Sequence, residues 1–424
     1  MYLDLLPLVG LFIAGYARAG LYPGLGLGPV ETLRRLSFVT TFGFLVLAAF
    51  SFALKLPHLY SRVTFLLAFV LSLALVPLGR LALFSAARHW RWWAEPVVVI
   101  GTGRRAARAI RGIKQSSHLG YRPVAVLTSD AAAAAEGTLE DVPIAGGLEQ
   151  APALSASGIR VALLEIEQMQ TRAVLDRLQQ TFQHVILLRE FDDLPVEGLQ
   201  VRNLGSLVGI EYTNNLLRPG NQAVKRALDL VLAGAALILA LPVIAIAALL
   251  VRLIDGGPVI FHQRRAGLAG RRFSVPKIRT MRRDADQRLE EYLNANPGLR
   301  EEWAGRYKLR HDPRLIPGVG RLFRRFSIDE LPQLWAVMAG DMSLVGPRPF
   351  PDYHLEQFSA SFLELRQRVR PGITGVWQVT IRSDGGPEDQ EAFDTYYILN
   401  WSVWFDLYVL GRTIAAVASG RGAY

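Results

Sequence analysis

The stretch RRFSIDELPQLWAVMAGDMSLVGPRP, residues 324–349, places two adjacent carboxylates, Asp329 and Glu330, between Arg324 and Arg325 on one side and Arg348 on the other. The chain contains no cysteine, which excludes disulfides, thiolate nucleophiles and Cys-type zinc sites. No histidine falls in this stretch, and the seven elsewhere lack metal-ligand spacing. Ser327-x-x-Glu330 fits a capping box, and acids in a first helical turn are favourable, so a structural reading of Glu330 is available. Pro332, best tolerated in a first turn, moves the expected helix start toward Asp329, with Ser327 just outside. Either way both carboxylates sit at a helix N-terminus, where backbone N–H groups also attract phosphate. Flanking arginines should depress the carboxylate pKa values, which suits a nucleophile or metal ligand better than a general acid. A carboxylate attacking phosphorus forms an acyl phosphate, and a divalent metal would neutralise the charge there. Mg²⁺, which prefers oxygen and can bridge carboxylate and diphosphate, fits best.

Five cationic groups, Lys277, Arg279, Arg324, Arg348 and Arg370, lie in turn-rich or helix-end contexts. That much positive charge is what an enzyme handling two phosphates at once requires. A solvated basic face against anionic lipid explains any one arginine equally well; it explains the group less well. Other clusters that stand out are KIRTM (277–281), HDPR (311–314), VRPGITGVWQVTIRSD (369–384) and FDTYYILNWSVWFDL (393–407). The formal net charge is +10, with only five lysines, so nearly all positive charge is arginine. Such a balance suits nucleic acid, anionic lipid or a phosphorylated substrate; the carboxylate–arginine cluster favours the last two, and nucleic acid is set aside.

The elements that must position these groups begin with three apolar stretches, roughly 3–27, 36–54 and 63–84. The second and third approach the ~20 residues a membrane helix needs, and the first is broken by Arg18, Gly and Pro. Arg34 and Arg35 separate the first two spans, while Arg80, Arg88 and Arg91 follow the third. With the long region after them in the cytoplasm, this distribution obeys the positive-inside rule. Met1 would then start on the outer face, as though a preceding span were missing. Residues 1–92 are read as transmembrane helices, 93–217 as a Rossmann-like doubly wound α/β domain, and 218–424 as a mainly α-helical catalytic domain seated on one face of the membrane. In the middle region the β-branched run Val97–Ile100 leads into Gly101-x-Gly103-x-x-Ala106 and a helical pattern, the context of a dinucleotide-binding turn. Further strands are expected at 123–127, 161–166 and 184–188. A nucleotide held by Gly101, Gly103 and Ala106 is one reading; a folded but empty module is the other.

Residues 230–251 carry no charge over 22 positions, yet Lys225 and Arg226 precede them and Arg252, Arg264 and Arg265 follow. Positive charge at both ends suits neither orientation of a straight span. Pro242 in the middle kinks a helix. A re-entrant helix over about 222–254, turning near Pro242 and leaving on the side it entered, resolves the conflict.

From about Lys225 onward the chain resembles the bacterial sugar transferases, the polyprenyl-phosphate hexose-1-phosphate transferases. The motifs that carry the resemblance are VPKIRTM, RRFSIDELPQLWAVMAGDMSLVGPRP, VRPGITGVWQV and YYILNWSVWFDL. Leading membrane spans and a Rossmann-like module match the larger members. The resemblance implies a two-step reaction at the bacterial inner membrane, with the catalytic domain on the cytoplasmic face. Asp329, matching the first acid of the family's dyad, attacks a UDP-hexose, UMP leaves, and the phosphosugar passes to undecaprenyl phosphate. Glu330 helps hold Mg²⁺ with Asp329 or activates the acceptor. Lys277, Arg324 and Arg348 match phosphate-site positions, Arg279 and Arg370 are companions, and Gln378, Arg382 and Asp394 are assigned to the pocket. UDP-galactose is the favoured donor, with UDP-glucose as alternative, and the product would initiate O-antigen, capsule or exopolysaccharide synthesis. A homodimer is compatible with this reading. Three departures are visible: three leading spans where four are usual, Leu241-Pro242 where Ser-Pro is common, and Ile278 where phenylalanine is common.

The alternative of another class is a non-catalytic membrane scaffold or sensor with a nucleotide-binding module. An NAD-dependent epimerase is disfavoured because its Tyr-x-x-x-Lys pair is absent.

Overall fold

The structure is a computed structural model. It describes the chain except residues 1–5, 23, 54–60, 88–93, 116–118, 129, 131–134, 136, 166–170, 189–199, 205–206, 212–214, 297, 299, 301–311, 381–385 and 420–424. Arg382 thus lies outside the described residues. The chain divides into two compact units, Met1–Asp193 and Leu194–Tyr424.

The first unit opens with α1 (Leu6–Arg18), α2 (Pro29–Ala53) and α3 (Arg62–Ala87). Only α2 and α3 of these are long and apolar enough to cross a membrane. The first apolar stretch yields a described helix of 13 residues, short of the ~20 a span requires, because Gly20 and Gly24 adopt left-handed conformations beyond Arg18. Phe12 of α1 packs where a side chain at Gly43 of α2 would collide, and Tyr16 hydrogen-bonds Thr40 at 2.8 Å. Small residues at a helix contact permit this close approach.

The sheet of this unit is built from β1 (Glu95–Ile100), β2 (Tyr121–Leu127), β3 (Thr138–Leu139), β4 (Val142–Gly146), β5 (Val161–Glu165) and β6 (His184–Leu188), interleaved with α4 (Arg104–Gln115), α5 (Ala151–Ala156) and α6 (Thr171–Thr181). Strand order is β3-β4-β2-β1-β5-β6. All neighbours pair in parallel except β3 with β4. Val97 and Val99 pack into one core while Val98 and Ile100 pack into the other. A strand covered on both faces needs the unbroken apolar run the sequence shows. Helix α4 buries Ala106, Ile110 and Ile113, spaced four and three apart, and turns its arginines outward.

The second unit begins with the hairpin β7 (Gln200–Leu204) and β8 (Leu207–Glu211), followed by the 37-residue α7 (Pro219–Asp255). Pro242 sits inside this continuous helix, where the sequence suggested that the chain turns back. Its buried positions, Lys225, Asp229, Ala233, Ala240, Ala247 and Val251, recur every four or seven residues and form one stripe. Val231, Ile238, Ile246, Leu249 and Leu253 project from the opposite side and are exposed. Both ends of α7 are fastened to the same unit. Lys225 pairs with Asp406 at 2.7 Å, Asp229 accepts from Ser343 Oγ at 2.7 Å, and Asp255 accepts from Arg279 at 2.7 Å.

The remaining elements are β9 (Ile260–Ala266), β10 (Arg272–Ile278), α8 (Ala285–Ala295), α9 (Gly320–Arg325), α10 (Gln333–Ala339), β11 (Ser343–Val345), α11 (Asp352–Leu355), α12 (Ala360–Arg366), β12 (Gly372–Thr374), α13 (Val376–Thr380), α14 (Pro387–Asn400) and α15 (Val403–Ser419). Strands β9 and β10 are antiparallel, and β11 pairs with β12 in parallel. Ile278, Ile316, Val319 and Phe323 close a core against Ala247 and Val251 of α7.

Candidate functional site

The two carboxylates lie on a 3₁₀ turn, Ile328–Glu330, between α9 and α10. Ser327, expected just outside the helix, takes a left-handed conformation (φ 52°) and makes no capping bond, so the capping box is not formed. Pro332 immediately precedes α10 with φ −61°, a value its ring fixes in advance. Ile328 packs onto the α7–β10 core, which anchors the turn.

Glu330 is the partnered member. Its Oε1 accepts from Lys277 Nζ at 2.8 Å and lies 3.8 Å from Arg348 Nη2. Burial pushes the Glu330 carboxyl up, but Lys277 and Arg348 outweigh it and hold the group below the usual range, helped by a hydrogen bond from Gln333. Asp329 has no ion pair among the described residues. Burial, and then the negative charge of Glu330, push it up to about 6 despite Lys277 and Arg324. The sequence led us to expect both acids depressed. That holds for Glu330 and fails for Asp329, because burial removes the solvation a carboxylate needs and the nearest charge is another carboxylate.

The surrounding cations are matched to other acids. Arg324 donates from Nε to Thr280 Oγ1 at 3.0 Å, and its Nη1 stands 3.9 Å from Asp312. Asp312 is itself held by Arg314 at 2.8 and 2.7 Å. The two segments are stitched together by Ile316 N–H donating to Thr280 O at 2.9 Å and by a bridge between Met281 and Leu315. Lys277, Arg324 and Arg348 are therefore the predicted residues that the fold brings to the dyad.

Others point elsewhere. Arg279 is buried, and its fork is taken by Asp255 at 2.7 Å and by the Gly256 carbonyl. Arg370 Nε donates to Gly340 O at 2.9 Å, closing the end of α10. Gln378 donates to Ile373 O at 3.0 Å. Asp394 is deeply buried (3 % exposed); burial pushes it up to about 7 against the pull of Arg366. Sequence reasoning missed Thr280, Asp312, Gln333 and Arg366, which donates to Arg348 O at 2.6 Å. The HDPR and KIRTM clusters were the available signal for the first two, but nothing local says that both turn toward Arg324.

Among the described residues no three acids or histidines are grouped as a ready metal cage. Two carboxylates without a third suit Mg²⁺, which commonly takes one or two acids and leaves the rest of its shell to water and substrate phosphate.

In the first unit, the predicted glycine turn follows β1. Gly101 has φ +119°, and Ala106 is fully buried under α4. The amides of Gly103 and Arg105 donate to Glu165 at 3.0 and 3.3 Å.

Comparison with known proteins gives the family. The bacterial sugar transferase model matches residues 220–420, and a model described as a CoA-binding domain matches 19–185. A UDP-galactose-lipid carrier transferase of Erwinia amylovora is 34 % identical, over 86 % of this chain and 76 % of that one. The undecaprenyl-phosphate galactose phosphotransferase of Salmonella typhimurium is 31 % identical over 86 % and 77 %. The UDP-glucose:undecaprenyl-phosphate glucose-1-phosphate transferase of Escherichia coli is 31 % identical over 65 % and 58 %. The dyad turn, its three converging cations and the α7 platform all fall inside the matched 220–420 region, and the chain belongs to the bacterial sugar transferase family.

Proposed function

We propose that the protein transfers hexose-1-phosphate from a UDP-hexose to undecaprenyl phosphate, and that Asp329 carries the phosphosugar between them. The observation that carries this reading is the asymmetry of the dyad: Glu330 takes the ion pairs, while Asp329 is half-buried and has no ion pair among the described residues. A carboxylate without an ion pair is the stronger nucleophile; one whose charge is shared with a lysine and an arginine is the weaker.

In the first step an Asp329 oxygen attacks the β-phosphorus. The bond from that phosphorus to the bridging oxygen breaks, its electrons stay on the bridging oxygen, and UMP leaves. In the second step an oxygen of the lipid phosphate attacks the same phosphorus. The aspartyl–phosphate bond breaks, the carboxylate is restored, and undecaprenyl-diphospho-hexose departs. Lys277, Arg324 and Arg348 stand where they offset the charge of both diphosphates. Asp329 and Glu330 would hold Mg²⁺, which when bound supplies charge neutralisation at the phosphates.

A site serving a water-borne donor and a lipid acceptor has to lie at the headgroup plane. The two-sided α7 supports that position: one stripe rests on its own unit and the opposite face is apolar and exposed. Both ends are tied to the same unit, which supports a helix held against one face of the membrane; we assign that face to the cytoplasmic side of the inner membrane. The names of the Erwinia and Salmonella relatives favour UDP-galactose as donor; that of the Escherichia coli relative makes UDP-glucose the second reading. The product would initiate an extracellular or surface polysaccharide. Purified membranes given undecaprenyl phosphate, Mg²⁺ and a panel of UDP-hexoses test this by UMP release. Release with UDP-galactose above the other donors is expected, and no release with any donor favours the scaffold reading.

A further inference from the structure

The model described as a CoA-binding domain covers strands β1 to β5 of the first unit's sheet, and CoA carries a diphosphate that a glycine turn at a helix N-terminus would have to seat. In a doubly wound sheet the seat lies beyond the carboxyl ends of the strands where the order reverses. Here that point is between β1 and β5, since the chain runs outward from β1 to β2 and β4 on one side and through β5 to β6 on the other. Glu165 is the last residue of β5, one step beyond the pairing of Ile100 with Leu164.

Its side chain fills the seat. One carboxylate oxygen accepts from Gly103 N–H at 3.0 Å and the other from Arg105 N–H at 3.3 Å. A Cβ placed on Gly101 would stand 2.6 Å from Oε2, and one on Gly103 would stand 2.6 Å from Oε1. In a phosphate-binding turn the missing Cβ atoms admit a phosphate; here the same space holds a carboxylate from within the module. Two anionic oxygens on two backbone donors reproduce the bonds a phosphate would make. Buried Ala106 serves helix–sheet packing, which the module needs with or without a ligand. The residues present do not fit a bound diphosphate.

We propose that Glu165 is the resident anion of the Gly101–Gly103 turn, and that the α/β module takes neither CoA nor another diphosphate there. The positive end of α4 is thereby neutralised from within, and the module completes its fold without a ligand. A sensor that reads nucleotide at this turn loses its site.

Amide hydrogen exchange on the full-length protein in detergent micelles tests this at Gly103 and Arg105. In the wild type both amides are expected to be protected, and millimolar CoA or inorganic phosphate to leave their exchange unchanged. Glu165→Ala should raise exchange about tenfold or more, and inorganic phosphate should slow it again by taking the vacated seat. Glu165→Gln keeps the shape and one neutral acceptor, and should show a smaller rise if the alanine variant fails to fold. The proposal is overturned if CoA or phosphate slows these amides in the wild type. It is equally overturned if neither variant raises exchange, or if phosphate does not suppress the rise.

Discussion

Two turns in this protein lead into a helix and hold a carboxylate, and they treat it in opposite ways. At the glycine turn of the first unit, Glu165 receives two backbone N–H groups and is satisfied. At the dyad turn of the second unit, Asp329 is half-buried under the influence of Lys277 and Arg324, and the cations around the dyad are engaged by other groups. Lys277 and Arg348 belong to Glu330, and Arg324 to Asp312 and Thr280. A satisfied carboxylate is an architectural part. A half-buried one beside another carboxylate is harder to ionise, and such a raised pKa is the mark of a site where reactivity is favoured over stability.

Removing each carboxylate should expose that difference most plainly. Asp329→Asn should lower UMP release by ~10³-fold or more while leaving the melting temperature unchanged or higher, since a neutral isostere relieves the buried charge. A variant that melts lower and still turns over would make Asp329 structural, like Glu165. Next in size is Asp312→Asn. By freeing Arg324 to close on Asp329, it should lower kcat about 10- to 100-fold with a smaller change in KM, on the scale of a lost positioning contact. In an Arg324→Ala background the same change should add little, because Asp312 acts through Arg324; full additivity would contradict that coupling.

The pH dependence sharpens the contrast further. Asp329 must be ionised to attack and sits at about 6, so log kcat/KM should rise with slope near one below pH 6 and level off above it. A profile flat from pH 5 to 7 would remove the buried carboxylate from the rate-determining chemistry. For stability the sign is opposite. An acid whose folded pKa is raised stabilises most below its unfolded value, and the benefit is lost as pH climbs through the folded one. Asp394, at about 7, therefore costs stability progressively between roughly pH 4 and 7, where the unfolded carboxyl is ionised and the folded one still holds its proton. Asp394→Asn should flatten the fall in melting temperature over that range. The smallest effect on turnover is expected from Glu165→Gln. It should leave UMP release unchanged while costing the first unit about 1–2 kcal/mol in urea unfolding.

Much of the framework was legible because it is written in short-range patterns. The Val97–Ile100 run gave a strand buried on both faces, and the arginine-flanked acids gave the dyad turn. Lys277, Arg324 and Arg348 converge on the dyad because motif position is also spatial position there. Arg279 and Arg370 look the same in sequence, yet their guanidinium groups are engaged by Asp255 and the Gly256 and Gly340 carbonyls. Which way a long side chain turns depends on residues dozens of positions away. Burial is equally invisible in a linear string, so the depression expected for both acids was realised only in Glu330. Pro242 lies within α7 rather than ending it, because packing along an entire stripe can hold a helix through one lost backbone hydrogen bond.

The most direct test of the account is peptide mapping after incubating the purified protein with UDP-galactose and Mg²⁺ but no lipid acceptor. Hexose-phosphate is expected on the peptide containing Asp329, absent from Asp329→Asn, and discharged when undecaprenyl phosphate is added. Stoichiometric UMP release with an unmodified Asp329, or an adduct on another residue, would contradict it.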